Sequence, residues 1–330
     1  MTPQERISLF VDHIGPFDAQ KIGVLRGKAN SGLELLNGHN IEVVQGFACE
    51  FDRLERFGFS PGAKIGSDFG DLDMALVQIT RSKVETKLLV AQAWDATRVG
   101  GRIVVDGLKT DGIESIYKAL RKLGIEPDTL VKSHGRIFWF ERDETRPFAD
   151  WLEPKLKMPD GFATAPGVFS AEKLDKGSLA LIAALPPLAG HGADFGAGWG
   201  FLSRAALGHE KVTKLDLIEA EIAALDAARV NITDERANLE WADVTKTSGR
   251  FYDFIIANPP FHTERTANTD LGVAFLTTAA RNLKPKGQFY CVANRHLPYE
   301  AVLNELFRNV AEIGGTSAFK VFQAAQPRRL

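Results

Sequence analysis

Gly192-Ala193-Asp194-Phe195-Gly196-Ala197-Gly198-Trp199-Gly200 reads as the end of a short strand running into a glycine turn. Phe201 to Leu207 continues it with helical character, so the turn lies where a strand hands over to a helix amino terminus. Glycines there permit a tight turn and let a ligand come close to the backbone. Dinucleotide enzymes space this turn as Gly-x-Gly-x-x-Gly, with a pyrophosphate over the helix terminus. This chain has Gly-x-Gly-x-Gly, with an acid two positions before the first glycine. That variant suits a ligand with a charged amino acid tail and no pyrophosphate. Asp194 can face an ammonium group, directly or through water, and Phe195, Gly196, Ala197 and Gly198 join it as cofactor-binding candidates.

Downstream, Val212 to Glu219 is apolar enough for the next strand and places a carboxylate at its end, 23 residues after Gly196 (219 − 196). An acid near this distance accepts hydrogen bonds from both hydroxyls of a ribose. Asp216 competes for that role, but the helix pattern from Ala220 to Asn231 favours Glu219. Asp243, in Trp241-Ala242-Asp243-Val244, sits at the next strand-to-loop junction and is a candidate acceptor for an adenine amino group. Acids in such loops also cap turns. Phe251 to Ala257 is a β-rich run, Leu271 to Leu283 an amphipathic helix, and Gln288 to Ala293 a further strand. Strands alternating with helices predict an α/β fold with a parallel sheet covered on both faces.

Asn258-Pro259-Pro260-Phe261 follows the Phe251 to Ala257 strand directly, at the sheet edge where open α/β sheets bind ligands. The pattern fits one chemical problem. The lone pair of an exocyclic amine on a nucleobase is delocalised into the ring, so the nitrogen is a weak nucleophile. Hydrogen bonds from its two N–H groups to the Asn258 side-chain oxygen and the Pro259 carbonyl orient it and favour a tetrahedral geometry. Consecutive prolines stiffen the backbone that aims both acceptors. Phe261 offers a flat face for the base, a contact of about 1–3 kcal/mol. Positioning and placed dipoles suffice here, with no strong base, because a sulfonium carbon is already activated. His262 follows and is left outside the catalytic set.

The chain contains a faint copy of itself. Asp73-Met74-Ala75-Leu76-Val77-Gln78 resembles Asp253-Phe254-Ile255-Ile256-Ala257-Asn258. Gly100 to Val105 answers Lys286 to Cys291, the helix pattern Ile113 to Leu123 answers Ala301 to Phe307, and Arg136 to Phe140 answers Phe319 to Phe322. Self-similarity on this scale predicts two related α/β domains, at residues 1–150 and 160–330, with the connection inside Asp143 to Pro166. The first copy lacks the glycine turn and has Val77-Gln78-Ile79-Thr80 where the second has Asn-Pro-Pro-Phe. One half is equipped for catalysis and the other reads as scaffold.

Composition narrows the classes. Forty-five per cent hydrophobic and 25% charged residues describe an ordinary globular chain. Met1-Thr2-Pro3-Gln4-Glu5-Arg6 lacks the layout of a secretory signal, and no apolar run reaches the roughly 18 to 20 residues of a membrane span. The two cysteines, Cys49 and Cys291, make neither a disulfide framework nor a metal-ligand pattern. No metal, no membrane and a cytoplasmic location are expected. The net charge of −2 gives no broad basic surface, so any nucleic acid contact has to be local.

On Asp194 to Gly200, Asn258 to His262, Ala165-Pro166-Gly167-Val168-Phe169-Ser170, Leu174-Asp175-Lys176-Gly177-Ser178, Ala293 to Tyr299 and Phe319-Lys320-Val321-Phe322, the chain resembles the RsmC/RlmG-like ribosomal RNA guanine-N2 methyltransferases, within the class I methyltransferases. The resemblance is good from about Phe162 onward and looser from Asp73 to Phe140; residues 1 to 60 match poorly, and Trp199 is bulkier than usual. It implies two tandem Rossmann-like class I methyltransferase domains, the first degenerate. It implies S-adenosyl-L-methionine as cofactor, held by Asp194, Gly196, Gly198 and Glu219, and a guanine amine of small-subunit, 16S-type ribosomal RNA at Asn258, Pro259 and Phe261, with Asn258 counted among the cofactor-binding residues as well. Ribosomal RNA or a ribosomal subunit is the expected partner of a monomer, with Arg81, Lys83 and Lys87 as candidate RNA contacts. The same loop also suits an adenine amine or a protein glutamine amide. A non-catalytic ribosome-assembly module that keeps the cofactor site and a nicotinamide-dependent oxidoreductase are the readings from other classes.

Overall fold

The computed structural model describes residues 4–15, 21–36, 38–154, 156, 161–260 and 269–328. The chain divides into two compact units, Met1–Leu156 and Lys157–Leu330.

The first unit holds strands β1 (Lys21–Leu25), β2 (Asn40–Val44), β3 (Leu72–Gln78), β4 (Thr97–Leu108), β5 (Asp128–Lys132) and β6 (Gly135–Glu141). Its helices are α1 (Gln4–Ile14), α2 (Ala48–Arg56), α3 (Lys83–Ala96), α4 (Ile113–Lys122) and the short α5 (Ala149–Leu152). The sheet order is β2-β1-β3-β4-β6-β5. β3 is apolar along nearly its whole length because helices cover both of its faces. In α4, Ile113, Ile116 and Leu120 form one buried stripe at helical spacing. Ser82 starts α3 by accepting the Glu85 N–H.

The second unit runs α6 (Lys176–Ala184), β7 (Gly190–Phe195), α7 (Phe201–Leu207), β8 (Val212–Glu219), α8 (Ile222–Asn231), β9 (Ala237–Trp241), β10 (Tyr252–Ala257), α9 (Thr269–Arg281), β11 (Leu283–Asn294), α10 (Tyr299–Leu306), β12 (Phe307–Gly315) and β13 (Phe319–Pro327). Its order is β12-β13-β11-β10-β7-β8-β9. Phe254 and Ile256 of β10 enter the apolar cluster on one face, Ile255 and Ala257 that on the other. The parallel sheet expected from the sequence is found from β9 through β11, and the sheet departs from it at one edge. β13 runs antiparallel to β11 and β12, as β6 does to β4 and β5. The Thr316 turn, whose N–H donates to the Phe319 carbonyl, is too short for a crossover and forces an antiparallel return.

The two sheets repeat one plan, the second adding β9. The repeat reaches side chains. Asp73 accepts the Lys21 N–H at 2.8 Å and Arg98 Nε at 2.7 Å. Asp253 accepts the His191 N–H at 2.9 Å and Lys284 Nζ at 2.8 Å. Each ties the start of the first strand to a cation from the strand next door.

The poorly matching stretch before residue 60 carries β1 and β2, joined through a 3-10 turn at Leu33–Leu36. Register places Val24 where the second unit has Asp194, since Val24 pairs Leu76 and Asp194 pairs Ile256. By the same register Gln45 stands for Glu219 and Gln78 for Asn258. Arg26, at φ 57°, takes the place of Gly196, and its guanidinium binds Glu85. Gln78 Oε1 accepts the Lys28 N–H at 2.7 Å and the Ser31 hydroxyl at 3.1 Å. The first unit's cradle is filled with its own side chains, which is the physical content of its degeneracy.

A buried ion pair closes the same edge. Arg6 Nε donates to Asp106 Oδ1 at 2.6 Å and Nη2 to Oδ2 at 3.1 Å, and both residues are almost wholly buried. Burial pushes the Asp106 carboxyl up, with Arg6 opposing it. Arg6→Met strands that carboxylate and lowers stability by about 3–5 kcal/mol in urea unfolding, whereas Arg6→Met with Asp106→Leu recovers most of the loss. Equal stabilities for the single and double variants would contradict this account.

Candidate active site

β10, β7, β8 and β9 are adjacent and parallel, so their carboxyl ends meet at one edge. Asp194 closes toward that edge from β7, Glu219 from β8, Asp243 from the loop after β9, and Asn258 from the end of β10. The residues read from sequence on four different strands therefore share one rim, the usual ligand edge of such sheets.

Asp194 is fully buried, and the Ser203 hydroxyl donates to its Oδ2 at 2.6 Å. Its Oδ1 is buried with no hydrogen-bond partner among the described residues. Burial pushes its carboxyl up to about 7, with Ser203 lowering it and the nearby Glu219 charge raising it. A buried carboxylate oxygen without a donor is costly, and a ligand ammonium is the group that satisfies it. At Gly198, φ is 56° and an added Cβ would meet nothing within 4 Å, so the turn opens onto free space. The residues fit a cationic amino acid tail.

Glu219 is oriented by two main-chain donors, Gly198 N–H to Oε2 and Glu221 N–H to Oε1, both 2.8 Å. Burial raises its pKa against those bonds. Each oxygen keeps further acceptor capacity on the rim side, as a vicinal diol requires. Asp216, the competitor, is consumed by structure: it accepts from Asn238 Nδ2 and the Tyr252 hydroxyl (both 3.0 Å), meets His191 Nε2 (2.9 Å), and pairs with Lys214. Asp243 caps a 3-10 turn at Val244–Lys246, Oδ1 accepting the Thr245 N–H and hydroxyl. The Phe195 side chain lies in the core, edge-on to Tyr252, and Ala197 is buried, so these two offer main chain only.

Asn258 is half-buried, and its Nδ2 donates to Asp175 Oδ2 and to Ser178 Oγ, each at 2.8 Å. Asp175 also caps α6 by accepting the Ser178 N–H at 2.7 Å. Two acceptors on one helix terminus hold the amide nitrogen, which commits the amide oxygen to the opposite side. Pro259 is buried and Pro260 half-buried. Phe261 and His262 lie outside the described residues.

Three positioning residues escaped the sequence reading: Asp175, Ser178 and Ser203. Asp175 and Ser178 carry the signal of a helix N-cap, but nothing local ties them to Asn258. Trp199 is explained as well. Its Nε1 donates to the Phe169 carbonyl at 3.0 Å and its ring packs on Phe162, while Asn231 bonds Ala163 through both amide atoms. The chain entering the unit is thereby pinned over the glycine turn. Of the candidate RNA contacts, Arg81 pairs with Asp111 and Lys87 lies over the Trp151 ring, 4.9 Å from its centroid. Lys83 is exposed at the start of α3. Among the described residues no group of three or more His, Cys, Asp and Glu is placed to hold a metal ion, and no helix is long and apolar enough to cross a membrane.

Residues 160–323 match the family model of the methyltransferase small domain. Among curated relatives, the ribosomal RNA small subunit methyltransferase C of Shewanella pealeana is 30% identical over 260 residues, covering 76% of each chain. That of Shewanella piezotolerans is 32% identical over 267 residues, again 76% of each. A solved structure, the Thermus thermophilus 16S rRNA N2 G1207 methyltransferase (RsmC) in complex with AdoMet and guanosine, matches with a TM-score of 0.80 over 97% of this chain and 91% of that one. At 24% identity that likeness speaks for the fold.

The Asp194 environment has a measurable cost. Its folded pKa lies above the value for an unfolded chain, so the folded state holds the proton more tightly. Stability from this group is present at low pH and is lost as pH rises from about 4 through about 7. Asp194→Asn keeps the Ser203 contact and removes the charge. The variant gains on wild type by about 2–3 kcal/mol more at pH 8 than at pH 5 in urea unfolding without ligand. An equal gap at both pH values would show that the carboxylate pays no such penalty.

Proposed function

The chain belongs to the ribosomal RNA small subunit methyltransferase C family, and from that premise we propose that it transfers a methyl group from S-adenosylmethionine to the exocyclic N2 amine of a guanine in small-subunit ribosomal RNA. The observation that carries this reading is the double tether on the Asn258 amide nitrogen. With Nδ2 engaged, Oδ1 is the atom left to face a substrate, and an amide oxygen accepts from an N–H donor. An exocyclic amine is such a donor.

In this reading Asn258 Oδ1 and the Pro259 carbonyl accept the two N2 hydrogens and turn the nitrogen lone pair out of the ring plane. S-adenosylmethionine, when bound, supplies a methyl group on a sulfonium, an electrophile that needs no further activation. Asp194 Oδ1 takes the ammonium of its amino acid tail, and the Glu219 carboxylate takes the ribose hydroxyls. Held by these two acceptors, the guanine nitrogen would receive the methyl group that the cofactor would supply, and one N–H proton would leave to water. The two acceptors stabilise positive charge as it develops on nitrogen, and that selective gain is the protein's catalytic contribution. Asp175 and Ser178 do not touch the base; they position Asn258. Phe261 is the proposed stacking partner. Asp243 has one oxygen occupied by its cap, and the other is the proposed adenine acceptor. The first unit serves as scaffold and RNA-recognition element, and we take the enzyme to act as a monomer in the cytoplasm, where its substrate is.

Asn258→Ala is expected to lower kcat by about 10²–10³, a far larger loss than in cofactor affinity. Ser178→Ala, which loosens the amide without removing it, is expected to cost about tenfold in kcat and little in KM. Mass mapping of ribosomal RNA from a deletion strain should show one N2-methylguanine missing, restored by the wild-type gene and not by the Asn258→Ala form. No lost site, or label from tritiated cofactor appearing in protein, would remove the assignment. Cofactor affinity should weaken as pH falls below about 7, where Asp194 takes up its proton, and an affinity flat from pH 6 to 8 would argue against Asp194 as the ammonium partner.

A further inference from the structure

A second feature of the catalytic unit lies at the other edge of its sheet. Phe251 precedes β10, Arg281 ends α9, Arg308 begins β12 and Arg328 follows β13. Together they line a groove of about 770 Å³, bordered by Pro285, Gln326 and Pro327. No acidic residue is among its described lining. The three arginines are exposed and form no ion pair among the described residues. Neighbouring cations on the same edge are neutralised: Lys284 sits on Asp253 and Arg250 on Glu240. In a chain of net charge −2, three unneutralised guanidinium groups in one groove are a concentrated local field. Phe251 stands beside them with 62% of its surface exposed.

We propose that this groove is a second RNA-binding surface, which holds a single-stranded segment of the ribosomal RNA substrate away from the target base. The inference rests on the function proposed above for its choice of RNA. Guanidinium forks match phosphate oxygens two at a time, and an exposed aromatic ring accepts an unstacked base whatever its identity. Groove and Asn258 lie at opposite ends of β10, a strand of six residues, or roughly 20 Å at about 3.3 Å per residue. The RNA held here is therefore a different segment from the one bearing the modified guanine. The surface selects long or folded RNA over a short stem-loop and leaves the chemical step untouched.

The test uses full-length enzyme with Arg281→Gln, Arg308→Gln and Arg328→Gln combined, and separately with Phe251→Ala. All four side chains are exposed, so the fold is retained, and unchanged cofactor affinity verifies it. For protein-free small-subunit ribosomal RNA the triple variant raises KM tenfold or more with kcat unchanged, and the slope of log binding constant against log salt becomes shallower by about 2. Phe251→Ala raises KM about tenfold. A stem-loop carrying the target guanine, too short to span the sheet, is methylated equally by variant and wild type. Unchanged KM and salt slope on the long RNA would overturn the proposal, as would an equal loss on the stem-loop. A defect on assembled subunits with protein-free RNA binding intact would assign the groove to a ribosomal protein and overturn it too. Because the binding arm needs no methyl transfer, it decides the groove even if the guanine assignment fails.

Discussion

The chemistry proposed for this chain depends on which way one amide faces. An asparagine side chain offers a donor end and an acceptor end of nearly the same shape, and a loop residue is free to present either. Here the donor end of Asn258 is bound twice, by Asp175 and Ser178, at a terminus that the helix α6 would need to cap in any case. Orientation is thereby obtained from a contact that also stabilises the helix, and the acceptor end is left on the other side of the amide, fixed in advance of any ligand. The parallel register of β10 against β7 then sets Asn258 beside the glycine turn, one strand from Asp194 and two from Glu219. A slip of one residue in that register would turn the whole strand over.

Comparing the units explains why one works. Both keep the carboxylate that ties strand ends together, Asp73 and Asp253, because that contact serves folding. Only the second keeps the rim open. In the first, Val24 stands where the second has Asp194, an arginine occupies the left-handed turn position, and Gln45 and Gln78 are satisfied internally. The scaffold and the site have been under different demands, and the difference is visible residue by residue.

Much of this was legible in the sequence because the signals are local. A glycine turn needs glycines, a strand end shows its acid, and two prolines after an asparagine announce a stiff loop. The alternation of elements was readable for the same reason. What escaped is non-local or unpatterned. Asp175 and Ser178 lie 83 and 80 residues from the side chain they orient. Ser203 looks like any small residue in a helix. β1 and β2 went unread because a 3-10 turn joins them, which leaves no helical period between. β12 is largely exposed, so its sequence carries no apolar rhythm, and the antiparallel hairpin it makes with β13 was missed with it. Asp216 and Glu219 share a strand, and burial of the first in a polar knot of His191, Asn238 and Tyr252 is a fact of packing.

Gln78 illustrates how such a loss becomes permanent. Its amide oxygen is spent on Lys28 and Ser31, the opposite end from the one Asn258 has tied down. Restoring asparagine alone would recover neither the aspartate–serine anchor nor an open turn, and clearing Arg26 alone would leave Glu85 without its cation. Each change is costly until the others have been made, so the closed cradle of this unit behaves as a ratchet.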